Sequence, residues 1–246
     1  MDNVERLTEL LRRVNREGPA GGAREEAKTV LAGVDPAELS RAEQNLLAEG
    51  LDPQALRNVC ALHLEVLNDQ LAPVRAGLAP GHVLDTFYRE HDQILRFLDI
   101  LEAVAGRLRG ERAYDPAQSD YGTLRAVTEH LVGAEKHHAR EEEVLFPELE
   151  RRGIDGPPRV MRFEHVELRA QKARLLELAQ GVGGMNFTAF QREVNDLAAS
   201  LIFQLRDHIF KENTILYPTA LEVIPKEAWD GLKKSCDDIG YCCFTP

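Results

Sequence analysis

The sequence lacks the features that mark a membrane protein or a secreted protein. Apolar residues make up 43% of its 246 positions, yet they never form an uninterrupted run long enough to cross a bilayer. The first residues show neither the basic start nor the apolar stretch of a secretory signal. We therefore expect no association with a membrane and a cytoplasmic location.

Positive charge is also scarce. The chain carries 41 acidic and 30 basic residues, a formal net charge of −11, and the two signs are interspersed. Nucleic-acid-binding proteins present basic surfaces, so this balance argues against a nucleic-acid partner. The simplest interpretation of the charges is a solvated helical surface, and the sequence indicates no particular protein partner.

Cysteine is too sparse and too unevenly placed for a disulfide framework. Three of the four cysteines, Cys236, Cys242 and Cys243, fall near the C-terminus. In a cytoplasmic protein they are expected to be reduced thiols. The fourth, Cys60, lies close to His63, but no second half of a metal site matches this pair. That favours a buried structural cysteine.

No stretch alternates β-branched residues as a strand does, and nearly every segment has helical periodicity instead. Proline and glycine residues between positions 73 and 81 predict a domain boundary. We predict an N-terminal helical domain over 1–76, a four-helix bundle over 80–222 and a C-terminal cysteine-containing tail over 223–246.

Four long amphipathic segments follow the boundary, at about 83–108, 123–152, 159–180 and 188–221. Thr188 is expected to cap the last of them. Their lengths and short connections predict an all-α, up-down-up-down four-helix bundle. Each segment carries one histidine on its apolar stripe, namely His91, His137, His165 and His208.

Two of these segments repeat one pattern 71 residues apart. In each copy a histidine is followed four residues later by a glutamate, and then by leucine, an aromatic residue and proline. The two copies are His137, Glu141, Leu145-Phe146-Pro147 and His208, Glu212, Leu216-Tyr217-Pro218. Positions i and i+4 share one face of a helix, so each copy presents an imidazole and a carboxylate side by side.

These histidines and glutamates predict a metal site. A single buried histidine is more often part of the packing, but several unpaired imidazoles and two carboxylates in one core would be very costly without a cation. Two glutamates on facing helices are typical of a carboxylate-bridged dinuclear site. Imidazole and carboxylate suit iron, manganese or zinc, and no cysteine lies on these stripes, which argues against iron–sulfur or structural zinc. Two iron ions are the favoured interpretation.

From about Pro80 to Leu221 the chain resembles the hemerythrin-like (HHE cation-binding) family. The motifs that carry the resemblance are Glu90-His91-Asp92-Gln93-Ile94, His137-His138 with Glu141-Glu142, Glu164-His165, and His208 with Glu212. The resemblance implies a non-haem, carboxylate-bridged pair of irons, with an oxo or hydroxo bridge as a further element. It also implies that His91, His137, His165 and His208 are terminal ligands, and that Glu141 and Glu212 bridge the ions.

The third helix departs from the family pattern. Oxygen-carrying members place a second histidine four residues after the one on this helix, where this chain has Arg169. The missing ligand is then His138, Glu142 or water. The repeat favours His137 over His138 for the inward position. His130, two turns before His137, is a further candidate that would support the site, line an access path or simply pack.

The N-terminal 75 residues resemble a helical domain of unknown function that precedes hemerythrin-like domains in some bacterial sensor proteins. The matching segments include Val34-Asp35-Pro36-Ala37-Glu38 and Cys60-Ala61-Leu62-His63. The residues from Ile239 to Phe244 resemble the segment that leads into the next module of such proteins.

The implied function is binding or sensing of oxygen or nitric oxide at an open coordination position. A shift of Glu141 and Glu212 would then move the second and fourth helices and reach Cys242 and Cys243. The alternative is a di-iron enzyme in nitric oxide or peroxide detoxification or in iron–sulfur cluster repair. An iron store or iron-level sensor and a purely structural helical adaptor are further alternatives.

Overall fold

The computed structural model describes residues 3–17, 26–27, 30, 75 and 77–246. The chain divides into two compact units, residues 1–77 with 210–215 and residues 78–209 with 216–246. In the first unit, helix α1 (Asn3–Glu17) buries Leu7, Leu10, Leu11 and Val14. This spacing is that of an amphipathic helix. Most of the predicted N-terminal domain, with Cys60 and His63, lies outside the described residues.

Across residues 77–246 the protein is helical, and no strand occurs in that range. The helices are α2 (Val83–Arg109), α3 (Ser119–Gly133), α4 (Glu135–Arg140), α5 (Phe146–Glu150), α6 (Gly156–Gly181), α7 (Phe187–Lys211), α8 (Tyr217–Val223) and α9 (Trp229–Ile239). The second long segment comprises α3 to α5, and the fourth comprises α7 and α8. The predicted all-α bundle is confirmed. In the part of the chain that is described, no helix combines the length and the apolar character that a bilayer crossing requires.

Polar side chains determine where two of the long helices begin. Nδ1 of His82 accepts a hydrogen bond from the backbone N–H of Leu84 at 3.2 Å, which caps α2. The His82 ring also packs against Trp229, with ring centroids 4.5 Å apart. At α7, Oδ1 of Asn186 accepts from the N–H of Ala189 at 3.0 Å. The predicted cap, Thr188, was therefore wrong by two positions and lies inside the helix.

The second and fourth segments each contain a π-helical turn, Glu141–Leu145 and Glu212–Leu216. Each turn ends just before the aromatic-proline pair of the repeat. A proline inside an α-helix lacks an N–H, and its ring clashes with the carbonyl four residues earlier. The wider turn accommodates Pro147, and the N–H of Phe146 bonds to the carbonyl of Glu141, five residues back.

Apolar side chains of the bundle form two buried clusters, with a polar layer between them. Along α2, Tyr88 belongs to one cluster and Ile94 to the other, and His91 lies between them. Along α6, Met161 and Leu168 are divided in the same way on either side of His165. Polar residues therefore occupy the middle of the bundle and hydrocarbon closes both ends.

The predicted tail contains helix α9, whose Trp229, Leu232 and Cys236 join one of the apolar clusters. Gly240 ends α9 with a φ of 86°, a conformation that glycine adopts without strain. The residues after it pack against the bundle, where the ring of Phe244 contacts that of Phe97 at 5.1 Å.

Candidate metal centre

Seven potential metal ligands converge in the polar layer, and none is more than 2% exposed. Their ligand atoms form three groups within which every pair of atoms is at most 4.8 Å apart. The groups are His91, His137 and Glu212; His138, His165 and His208; and Glu141, His165 and Glu212. The structure thus brings together the six residues predicted as ligands and, of the further candidates from the sequence, His138.

His91 and His137 face each other through their Nε2 atoms, which are 3.0 Å apart. Nδ1 of His137 lies 2.7 Å from Oε2 of Glu90. An ionised carboxylate can only accept a hydrogen bond, so Nδ1 of His137 carries the proton and its Nε2 presents a lone pair. A metal-binding histidine is held by a carboxylate in the same manner.

His165 and His208 repeat this arrangement. Their Nε2 atoms are 3.0 Å apart, and their Nδ1 atoms lie 2.7 Å from Glu142 and 2.8 Å from Glu164. Both Nε2 atoms therefore present lone pairs to each other. Two facing lone pairs repel unless a cation lies between them, so this pair has the donor set and the orientation of metal ligands.

His138 lies beside the second pair. Its ring stacks on that of His165 with centroids 3.8 Å apart. Burial lowers the pKa of His138 well below its ordinary value, and the charges of Lys172 and neighbouring histidines act in the same direction. Arg169 occupies the position where oxygen-carrying members have a further histidine. The neutral imidazole of His138, next to His165 and His208, offers the same type of ligand. Among the three options left by the sequence, the geometry favours His138.

Glu141 lies between the two histidine pairs. Its Oε2 is 3.6 Å from Nε2 of His137 and 3.6 Å from Nε2 of His165. Its Oε1 accepts a hydrogen bond from the hydroxyl of Tyr217 at 2.7 Å. The repeat did not predict this contact, because Phe146 occupies the matching position of the first copy and the pattern therefore indicated packing alone.

Glu90 is held on the outer side of His137 by a buried arginine. Nη2 of Arg140 lies 2.6 Å from both carboxylate oxygens, and the hydroxyl of Thr245 donates to Oε1. Burial alone would raise the pKa of Glu90. The hydrogen bond from His137, the charge of Arg140 and the hydrogen bond from Thr245 outweigh it and lower that pKa to about 2. Glu90 thus stays an anionic acceptor.

Two further candidates from the sequence lie outside the ligand layer. Oε1 of Glu142 is 2.7 Å from both Nδ1 of His165 and Nη2 of Arg169, so Glu142 contacts a candidate ligand, and among the described residues it joins no ligand group. His130 stacks on Phe97 with centroids 4.7 Å apart, and within the described residues it joins no ligand group.

The outer carboxylates Glu90 and Glu164 were missed as functional residues. Each directly precedes a histidine of the layer but bonds to a histidine of another helix, His137 and His208 respectively. The Glu-His dipeptides were the available signal. Which histidine each glutamate contacts depends on how the helices pack against one another, and the sequence pattern does not predict that packing.

Two family models match the chain. Residues 7–73 match a family of unknown function (DUF438), and residues 82–220 match the hemerythrin HHE cation binding domain. A search of curated proteins found no match. Both resemblances expected from the sequence are confirmed. Because the second match covers more than half of the chain, this protein belongs to the family defined by the hemerythrin HHE cation binding domain.

Proposed function

We propose that this protein holds two iron ions in the polar layer and uses them to bind or sense oxygen or nitric oxide. The observation that carries the proposal is the pair of close Nε2 contacts, both 3.0 Å, in a fully buried layer that also contains two glutamates. Close contacts between imidazole nitrogens and buried carboxylates are costly in a core, and bound cations remove that cost.

The ligands divide unequally between the two positions. His91 and His137 would hold one ion, and His138, His165 and His208 would hold the other. The carboxylates of Glu141 and Glu212 would be shared. The position with two imidazoles has fewer protein ligands, so it is the one with room for a small external ligand.

Iron would supply, when bound, an exchangeable coordination position and one-electron redox chemistry. The protein's own residues perform the other tasks. Glu90, Glu142 and Glu164 fix the protons of three imidazoles on Nδ1, so that Nε2 faces inward. The two apolar clusters on either side limit access of water to this layer.

Metal analysis and gas titration test the proposal. Freshly purified protein is expected to contain about two iron ions per chain. The anaerobically reduced protein is then titrated with oxygen and, separately, with nitric oxide, and its absorption spectrum is recorded. The variant Glu141→Gln, Glu212→Gln serves as the control that should lose both iron and response. An iron-loaded protein whose spectrum responds to neither gas would contradict the gas-binding role.

A di-iron enzyme in nitric oxide or peroxide detoxification or iron–sulfur cluster repair is the second candidate. The position with two imidazoles supports an enzyme as well as a sensor, because a substrate such as peroxide or nitric oxide would bind at the same place. Of the three C-terminal thiols, Cys243 is exposed. The other two add little, since burial raises the pKa of Cys236 to about 11 and that of Cys242 to about 12. Both thiols are therefore protonated and unreactive at neutral pH. Sustained consumption of peroxide or nitric oxide would indicate the enzyme, and a single stoichiometric event would indicate the sensor.

A further inference from the structure

The two copies of the repeat place an aromatic residue at the same position near the candidate metal centre, and these two residues differ by one hydroxyl group. Tyr217 and Phe146 occupy matching positions, each directly after a π turn. Tyr217 stacks on His91 with centroids 5.5 Å apart and Phe146 stacks on His165 at 5.9 Å. The aromatic rings thus play the same packing role in both halves, and the hydroxyl of Tyr217 is the part that packing does not explain.

That hydroxyl is directed at the ligand layer. It donates to Oε1 of Glu141 at 2.7 Å and its oxygen is 3.4 Å from Nε2 of both His91 and His137. Tyr217 is fully buried, so water does not compete for this hydrogen bond. A hydrogen bond to a charged acceptor in a buried site is stronger and shorter than a neutral one.

The hydrogen bond also separates the two oxygens of Glu141 by function. Oε1 is occupied by the tyrosine, whereas Oε2 lies equally far, 3.6 Å, from a nitrogen of each histidine pair. A carboxylate that accepts a hydrogen bond on one oxygen holds less negative charge on the other. Such a ligand stabilises a trivalent cation less, relative to a divalent one, than a carboxylate without the bond does.

We propose that Tyr217 is a positioning residue that acts through Glu141: it fixes which oxygen faces the shared metal position and raises the reduction potential of the centre. This inference rests on the proposed di-iron function. The hydroxyl lies beside His91 and His137, and Phe146 offers no hydroxyl to the other histidine pair. The two halves of the centre are therefore electrostatically unequal.

The test is Tyr217→Phe, which places at this position the residue type that the first copy of the repeat has at Phe146 and should therefore fold. The matched control is Tyr88→Phe, which removes a hydroxyl from another fully buried tyrosine whose ring packs edge-on against that of Tyr217 at 5.2 Å. Iron-loaded proteins are reduced stepwise with dithionite under redox mediators, and the midpoint potential is read from the absorption spectrum. Iron content and thermal stability are measured beside it.

We expect Tyr217→Phe to keep its iron and to favour the ferric state about tenfold, which lowers the midpoint by about 59 mV for a one-electron step. Tyr88→Phe should match the parent protein. Equal midpoints in all three iron-loaded proteins would overturn the role of Tyr217 and leave the di-iron proposal intact. A parent protein without redox-active iron would instead overturn the di-iron proposal, so the two failures are distinguishable.

A measurement on the unmodified chain decides the matter if Tyr217→Phe does not fold. The protein is produced with ring-deuterated tyrosine, and oxidised-minus-reduced infrared difference spectra are compared with those of the unlabelled protein. A tyrosine band that shifts with the label supports a hydroxyl coupled to the charge of the centre, provided that the band persists in Tyr88→Phe. Absence of any label-sensitive band overturns the proposal.

Discussion

The His91–His137 pair and the His165–His208 pair have the same contact between imidazoles but different surroundings. Glu90, which holds His137, has a side chain that is 0% exposed and pairs with the equally buried Arg140. Glu142, which holds His165, is 24% exposed and pairs with Arg169, which is 36% exposed. The outer partners of the first pair are thus sealed from water, whereas those of the second pair are partly exposed, and we call the two the sealed half and the open half.

The open character of the second half extends to Glu164, the partner of His208. Its side chain is 24% exposed and lines a cavity of about 100 Å³ together with Glu167 and Asp207. The same contact, a carboxylate hydrogen-bonded to an imidazole, thus occurs in a buried environment in one half and in a partly solvated environment in the other. Charges in the sealed half interact strongly and those in the open half are screened.

Removing the arginine from each half should give the largest difference in stability between them. Arg140→Met leaves the charge of Glu90 buried without its guanidinium partner and should cost about 3–5 kcal/mol in the free energy of unfolding. Arg169→Met should cost no more than about 1 kcal/mol, because solvent screens that pair. Urea unfolding followed by circular dichroism, at equal metal content, measures both. Similar losses in the two variants would show that the halves do not differ as described.

Removing the metal tests whether both histidine pairs depend on cations. At free iron one hundred times the dissociation constant, binding should stabilise the folded state by about 2.7 kcal/mol. Thermal melts with added iron and with a chelator measure this difference. The variant Glu141→Gln, Glu212→Gln should melt alike in both conditions. A parent protein that shows no metal-dependent shift would argue that the polar layer is structural.

Replacing an outer carboxylate in the open half should weaken the metal site without unfolding the protein. Glu164→Gln removes the anionic acceptor for Nδ1 of His208 and should lower metal affinity about tenfold. Glu167→Gln is the matched control, because Glu167 lines the same cavity. Competition with a chromogenic chelator gives both affinities. If the two variants bind metal equally well, Glu164 is a surface acid and nothing more.

The smallest expected effect concerns the C-terminal segment in the sealed half. Thr245→Val removes the hydroxyl that donates to Glu90 and should lower stability by about 1 kcal/mol. Thr123→Val is the control, since its hydroxyl bonds only to the Ser119 carbonyl of its own helix among the hydrogen bonds described. Differential scanning calorimetry resolves the two. A loss as large in the control would remove the reason to regard Thr245 as part of this half.

The sequence allowed the bundle and most of the ligand layer to be predicted, because helical periodicity and i, i+4 pairing are local properties. His137, Glu141, His208 and Glu212 follow from spacing within single helices. The roles of His138, Glu90 and Tyr217 do not. Each depends on which residue of a neighbouring helix lies opposite, and packing across helices leaves no periodic trace in one chain. The cap at Asn186 was missed for a simpler reason, since Thr188 nearby is an equally good capping residue.

The two π turns have a consequence for chain length. A π turn contains about one residue more than an α turn, so the segments Glu141–Leu145 and Glu212–Leu216 each accommodate an additional residue. Deleting that residue would restore a regular helix whose downstream residues keep nearly the same orientation, because the π turn absorbs the additional residue without changing the register of the turns on either side. The ring of Pro147 or Pro218 would then lie against the carbonyl four residues earlier. These two places are where the helices can lose a residue and still present the same faces, at the cost of a proline clash, so a one-residue gap in a sequence alignment belongs there and not elsewhere in the helix.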